Sequence, residues 1–307
     1  MQRLKEHRDW LLIPVLIASP LFFIGGPDWL SAPVIREAWE QGHWVFFACL
    51  MFWWQGRWPL RAPHQWLALT LVVVVLSALI EGLQTLVDRQ ASGKDILLNV
   101  VGTWMGLFWG QPATRWVWSG RVIATVLVLW QLQSVLVLGL AEYRQHRQFP
   151  VLGDFESRWD VPFWEGDVQR VRQPVAQGEY SLAVRLISTD KNPYAGTHLS
   201  RLVDDWRGYQ ALSLSIFNPG DDTLRMTLRI NDATHDRNEG LFSDRYNGRL
   251  EVAPGWNHYR IPLEDIASAP ETRRMNLARM IRLLLFTSGV TEPRWIYLDN
   301  LRLEPTE

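Results

Sequence analysis

A chain of 307 residues with 31 Lys plus Arg against 32 Asp plus Glu carries no strong charge of either sign, which argues against nucleic acid as a partner. Its length allows about two domains, and its single cysteine, Cys49, excludes an intrachain disulfide. The averages conceal two unlike halves: 13 of the 18 Trp residues precede Gln145, whereas most Asp and Glu follow Gly153.

The first half reads as five apolar runs, roughly Trp10–Gly26, His43–Trp54, Trp66–Gln84, Ile96–Gly110 and Arg121–Tyr143. A membrane helix needs about 20 residues, and the third and fifth runs reach that unaided. Trp residues at the run ends follow the interfacial belt pattern. Basic residues precede the first run as in a signal peptide, but no small-x-small cleavage site follows, so it reads as an uncleaved first helix. The second run spans only with its Trp and His flanks in the interface. The fourth carries Asn99 and glycines and suits a packed bundle. The Lys/Arg bias, with Arg3, Lys5, Arg8, Arg57, Arg61, Arg115 and Arg121 on one side, predicts five spans with the N-terminus inside and the C-terminal domain outside.

Between the third and fourth runs lies EGLQTLVDRQASGKDILLNVVGTWMG, residues 81–106. Ionisable groups at a membrane rim mark a functional site by default. Glu81 and Gln84 share one helix face, Asp95 and Asn99 another, and Arg89, Ser92 and Lys94 lie in the connection. Gly102 and Gly106 form a small-xxx-small pair that lets helices approach closely. This rim reads as a site for a polar head group or lipid-linked glycan, or else as bundle glue in which Glu81 pairs with Arg89. No nucleophile–base pair, metal-spaced set or phosphate-cradling glycine loop accompanies it, so no catalytic residue is assigned. His43 and His64 read as isolated, and His43 as an interface residue rather than a ligand.

The order Glu81, Gln84, Arg89, Ser92, Asp95, Asn99, Gly102 resembles the signature of the VanZ-like membrane protein family, over roughly residues 11–110. The resemblance implies a membrane and cell-envelope setting, with membrane lipid as a partner. It implies no reaction. A fifth run and a long C-terminal extension depart from the family.

Residues 145–152, polar and holding Pro150, read as a linker between a bundle at 1–144 and a soluble domain at 153–307. Beyond it SLAVRLIS, ALSLSIF, LRMTLRI, GRLEV, HYRIPL, MIRLLLF and WIYLDNLRL alternate between turn signals, which predicts an antiparallel sandwich. NLARM, 276–280, reads as a short helix. The fold class is therefore a membrane all-α bundle of about five spans followed by an all-β jelly-roll sandwich.

The pieces DFES, GEYSLAVRL, DWRGYQALSLSIFNPG, LRINDATHD, FSDRYN, PGWNHYRIPLEDI and IYLDNLRL are similar to carbohydrate-binding-module-like domains with a galactose-binding-like jelly roll. The resemblance implies sugar binding and a structural calcium near the chain ends, for which Asp154, Glu156 and Asp299 could supply hard oxygen ligands. Sugar binding needs aromatic platforms and planar polar groups. The candidates are Trp206, Arg229, Asn231, Asp232, His235, Asp244, Arg245 and Tyr246, with Tyr194, Tyr209 and Trp256 as further aromatics. Core packing and salt bridges are the competing reading of each.

Together these features predict a bacterial inner-membrane protein, N-terminus cytoplasmic, whose periplasmic or extracellular sandwich recognises a cell-envelope glycan or lipid-linked saccharide. An enzyme acting on a lipid-linked precursor through Glu81 and Asp95, and a scaffold whose sandwich binds protein, are the other readings.

Overall fold

The structure is a computed structural model, and it describes residues 10, 12–19, 33–84, 93–189, 192–200, 205–238 and 240–306. The chain divides into two compact units, Met1–Leu136 and Val137–Glu307.

The first unit is helical. Its elements are α1 (Leu12–Ala18), α2 (Pro33–Glu40), α3 (Gly42–Arg57), α4 (Pro63–Gln84), α5 (Gly93–Gly110) and the start of α6 (Arg115–Gln148). α3 and α5 pack closely because α5 presents glycines to α3. A Cβ on Gly102 would lie 2.3 Å from the Trp44 carbonyl oxygen, and one on Gly106 2.4 Å from that of Ala48. The small-residue stripe thus serves α3, which the sequence reading did not pair with it.

Among the described residues two helices, not five, are long and apolar enough to cross a membrane: Pro63–Gly82 and Arg115–Gln148. α3 has 16 residues, short of the roughly 20 a span needs. α5 has 18, with Lys94, Asp95 and Asn99 in its first two turns. Residues 20–26 of the first expected span lie outside the described residues. The expected linker is the last turn of α6, up to Gln148, followed by β1 (Val151–Gly153). Ala141 of α6 is fully buried in the core of the second unit.

The second unit is a sandwich of two antiparallel sheets. Its further strands are β2 (Trp164–Glu165), β3 (Val168–Val171), β4 (Ser181–Leu186), β5 (Tyr194–Leu199), β6 (Tyr209–Asn218), β7 (Leu224–Asp232), β8 (Tyr246–Val252), β9 (Gly255–Pro262), β10 (Met280–Ser288) and β11 (Arg294–Pro305). One sheet has the order β3-β4-β11-β6-β9, with β1 also on β11. The other has the order β2-β5-β10-β7-β8. Short helices α7 (Ala233–Arg237) and α8 (Leu263–Ala267) follow β7 and β9.

Alternation in the strands fixes the faces. In β7, Leu224, Met226, Leu228 and Ile230 enter the core, leaving Arg225, Thr227, Arg229 and Asn231 on the opposite face. NLARM forms a turn, not a helix: Arg279 N–H donates to the Asn276 carbonyl at 2.9 Å. Asn276 N–H instead donates to Asp232 at 2.7 Å, an anchor that a helix start there would not need.

Candidate functional site

In the helical unit the described rim residues gather around a histidine. His43 of α3 meets Asn99 of α5 through Nδ1 and Oδ1 at 3.0 Å. Asn99 Nδ2 donates to Ser77 Oγ of α4 at 2.9 Å. The amide oxygen therefore accepts, and His43 Nδ1 carries the hydrogen. His43 Nε2 lies 3.6 Å from Asp95 Oδ2. That is longer than a hydrogen bond, so the two groups are close neighbours in one polar cluster. Ser77, Glu81, Asp95 and Asn99 are all buried, and Ser77 and Glu81 lie one turn apart on α4. His43 was missed in the sequence because 56 residues separate it from Asn99; only helix pairing joins them.

Lys94 donates to Glu37 and to Glu40 of α2, each at 2.7 Å. Ser134 of α6 donates to Glu37 at 2.5 Å. Lys94 is thus paired with two carboxylates rather than offered as a bare cation. Arg89, Ser92 and the side chain of Gln84 lie outside the described residues.

The expected calcium ligands have backbone partners. Asp299 Oδ2 accepts from the N–H groups of Ala176 and Gln177 at 2.7 and 3.0 Å, and Oδ1 from Asn300 N–H at 2.7 Å. Burial, with Glu156 nearby, pushes the Asp299 carboxyl up despite these donors. Glu156 Oε1 accepts from Glu179 and Tyr180 N–H at 2.9 and 3.1 Å, and Asp154 from Glu156 N–H at 3.2 Å. Among the described residues no three His, Cys, Asp or Glu side chains converge to hold a metal.

Several expected sugar contacts turn out to be internal. Trp206 is fully buried in the sandwich core, so it offers no platform. Asp232, also fully buried, caps α7 through His235 N–H at 2.9 Å. It receives Arg273 Nη1 and Nη2 at 2.7 and 2.9 Å, while Arg273 Nε donates to Asp244 at 2.5 Å. Burial would raise the Asp232 carboxyl, but Arg273 and the amides of Asn276 and His235 hold it below its ordinary range. His235, buried, donates from Nδ1 to the Asp244 carbonyl at 3.1 Å. Its Nε2 accepts from Arg229 Nη2 at 3.2 Å, since a guanidinium only donates. Tyr246 is half-buried and packs against the core.

The outer face of the five-stranded sheet carries the remaining polar candidates. One register row runs Glu165, His198, Leu284, Arg229, Asn247; the next runs Gly196, Phe286, Thr227, Arg249. Tyr194 is 58% exposed and meets the Phe286 ring edge-on at 5.3 Å. A Cβ on Gly196 would lie 2.6 Å from the Phe286 Cα, so glycine there leaves the ring its place. Arg245 precedes β8 in the same alternation, donates to Asn247 Oδ1 at 3.1 Å and lies over the Phe242 ring at 5.4 Å. Asn231 donates to Asp236 at 2.6 Å. Sequence reasoning missed Phe286, His198 and Arg249, though the alternation of β10, β5 and β8 points all three away from the core.

On the other sheet Trp256, Phe217 and Tyr297 share one row. Their rings lie 5.3 and 6.0 Å apart, and Trp256 stacks on His258.

No family model matches the chain, and no curated protein matches it. Solved structures do. A family 11 carbohydrate-binding module from Clostridium thermocellum, in complex with a β-1,3-1,4-mixed-linked tetrasaccharide, is 17% identical with a TM-score of 0.38; the match covers 51% of this chain and 95% of that one. A family 30 module of a Clostridium thermocellum cellulosomal cellulase is 13% identical with a TM-score of 0.34, covering 48% and 88%. An agarase, AgWH50C, is 16% identical with a TM-score of 0.38, covering 51% of this chain and 26% of that chain.

Proposed function

We propose that this chain is a membrane-held saccharide-recognition protein whose sandwich binds a cell-envelope glycan or lipid-linked saccharide on the outer face of the five-stranded sheet. The observation that carries the reading is the Tyr194–Phe286 pair, with Tyr194 exposed and Phe286 half-buried, on the sheet face that also carries Arg229, Arg245 and Asn247. A sugar ring has apolar C–H faces and a hydroxyl rim. It stacks on aromatic faces and takes hydrogen bonds from planar side chains.

The membrane part rests on exposure. Leu67, Leu71, Leu76 and Leu79 of α4 and Val126, Leu129 and Leu136 of α6 are each at least half exposed. Only 17% of either helix's apolar window is buried. In water such apolar stripes are aggregation liabilities; lipid covers them. The reading sets the N-terminus in the bacterial cytoplasm and the sandwich outside.

The test is glycan-array binding by the full-length chain in neutral detergent. Tyr194→Ala should weaken binding about tenfold, in line with ~1–1.5 kcal/mol for an aromatic contact. A folded chain that binds no saccharide would overturn the reading. Reporter fusions at Arg61 and at the C-terminus check orientation: a cytoplasmic signal at both would overturn the external sandwich.

A second reading, an enzyme acting on a lipid-linked precursor, is favoured by one observation, the approach of His43 Nε2 to Asp95 Oδ2 at 3.6 Å. Such a pair performs acid–base work when substrate reaches it. Precursor turnover abolished by Asp95→Asn would decide for it.

A further inference from the structure

The outer face of the five-stranded sheet is strongly basic. Arg225, Arg229, Arg245, Arg249 and Arg282 all lie on it. Two of them are answered: Arg225 faces Glu251 in register, and Arg282 pairs with Asp236 at 3.4 Å. The other three are not. Among the described residues Arg229, Arg245 and Arg249 have no carboxylate within salt-bridge distance. Arg229 and Arg245 are half-buried, and the Arg229 Nε is buried without a hydrogen-bond partner.

The nearby acids are engaged elsewhere. Asp232 and Asp244 bind Arg273, and Glu165 pairs with His198 at 3.1 Å. Burial and the repulsion of Arg245 and Arg282 depress the Arg229 guanidinium, only partly offset by the attraction of Asp236. Partly desolvated cations without a carboxylate at salt-bridge distance favour an external anion. The guanidinium fork suits carboxylate and phosphate geometry. A neutral glycan would leave this charge unanswered.

We infer that this face selects saccharides bearing anionic substituents, with Arg229, Arg245 and Arg249 holding the anion and Tyr194 and Phe286 the sugar ring; this rests on the saccharide-binding reading above. The substituent is a carboxylate, as in a uronic acid, or a phosphate, as in a phosphorylated or lipid-linked sugar.

Affinity electrophoresis of the full-length chain in neutral detergent tests this with four probes: alginate, phosphomannan, a neutral mixed-linked glucan and polyglutamate. Alginate or phosphomannan should retain the chain at least tenfold better than the neutral glucan, and which of the two does so identifies the anion. The exposed Arg249→Gln should reduce that retention about tenfold while leaving neutral-glucan binding and the melting midpoint unchanged, and Arg245→Gln should also reduce it about tenfold. These two variants keep the test decisive even where Arg229→Gln fails to fold. Retention should also fall with added salt, as exposed charges are screened. Equal retention by the neutral glucan, indifferent to both substitutions, would overturn the inference and leave saccharide recognition standing. Equal retention by polyglutamate would overturn it by showing charge attraction alone. A folded chain retained by no saccharide would overturn both.

Discussion

Arg273 closes a two-pronged contact on Asp232, Nη1 at 2.7 Å and Nη2 at 2.9 Å, and through it ties the end of β7 to the loop before β8. Removing one partner of a buried ion pair leaves an uncompensated charge, which costs about 3–5 kcal/mol. Arg273→Met should therefore destabilise the sandwich by roughly that amount in urea denaturation; a loss under about 1 kcal/mol would refute the lock. The contact also sets a pH dependence. The Asp232 carboxyl is held below its ordinary range, so its contribution is complete above the unfolded value of about 3.9 and is lost as pH falls through the depressed folded value. The stability gap between wild type and Arg273→Met should be full at neutral pH and narrow below about pH 4.

Two glycines of the helical unit make opposite predictions. A Cβ on Gly102 would stand 2.3 Å from the Trp44 carbonyl oxygen and 2.7 Å from its Cα, whereas nothing lies within 4 Å of one on Gly82. Backbone cannot yield as a flexible side-chain end can, so Gly102→Ala must push α3 and α5 apart. Overpacking of this kind costs about 1–3 kcal/mol. Gly82→Ala should be neutral or stabilise by up to ~1 kcal/mol, the usual helix preference for alanine. Thermal unfolding of both variants in detergent checks the contrast, and equal midpoints would overturn it.

The carboxylates expected to bind calcium accept backbone N–H groups, which bears on metal dependence. Both Asp299 oxygens are taken by N–H groups. Chelation with EDTA should leave the melting midpoint of the sandwich unchanged. Asp299→Ala, which orphans three backbone donors, should destabilise by at least ~1–3 kcal/mol, the loss expected for one unsatisfied buried group. A midpoint that drops several degrees on chelation would show an ion at these residues after all.

The sandwich was legible wherever alternation reports burial. β6, β7, β8 and β10 carry apolar residues on most alternate positions, β4 is apolar almost throughout and β11 alternates on either side of a bulge at Asn300, and each overlaps the segment read from sequence. The strand YAGTHL did not stand out: Gly196, Thr197 and His198 give it little apolar signal, and it is fixed by pairing with β10. The site was less legible, because polarity in sequence does not say where a side chain points. Trp206 has the composition of a sugar platform and lies in the core. Asp232 and Asp244 have the composition of ligand groups, but an arginine 41 and 29 residues away takes them both. Arg229 shares a strand face with Asn231, as the alternation predicts, because Leu228 and Ile230 face inward.

His43 and Asp95 supply the last prediction. Nε2 and Oδ2 stand 3.6 Å apart, and Asn99 fixes the ring from its other nitrogen. Residues that share one network are not additive under mutation: coupling energies run about 0.5–3 kcal/mol. His43→Phe removes both ring nitrogens, and Asp95→Asn removes the charge while keeping the shape. Each alone strands the other partner in a buried setting, so each alone should destabilise the helical unit. Once either is gone, the second substitution has less left to break. The double variant should therefore lose less stability than the two single losses added together, by at least ~0.5 kcal/mol, read from unfolding of the full chain in detergent. Strict additivity would mean that the two side chains do not interact, and with it the acid–base reading of this cluster would fall.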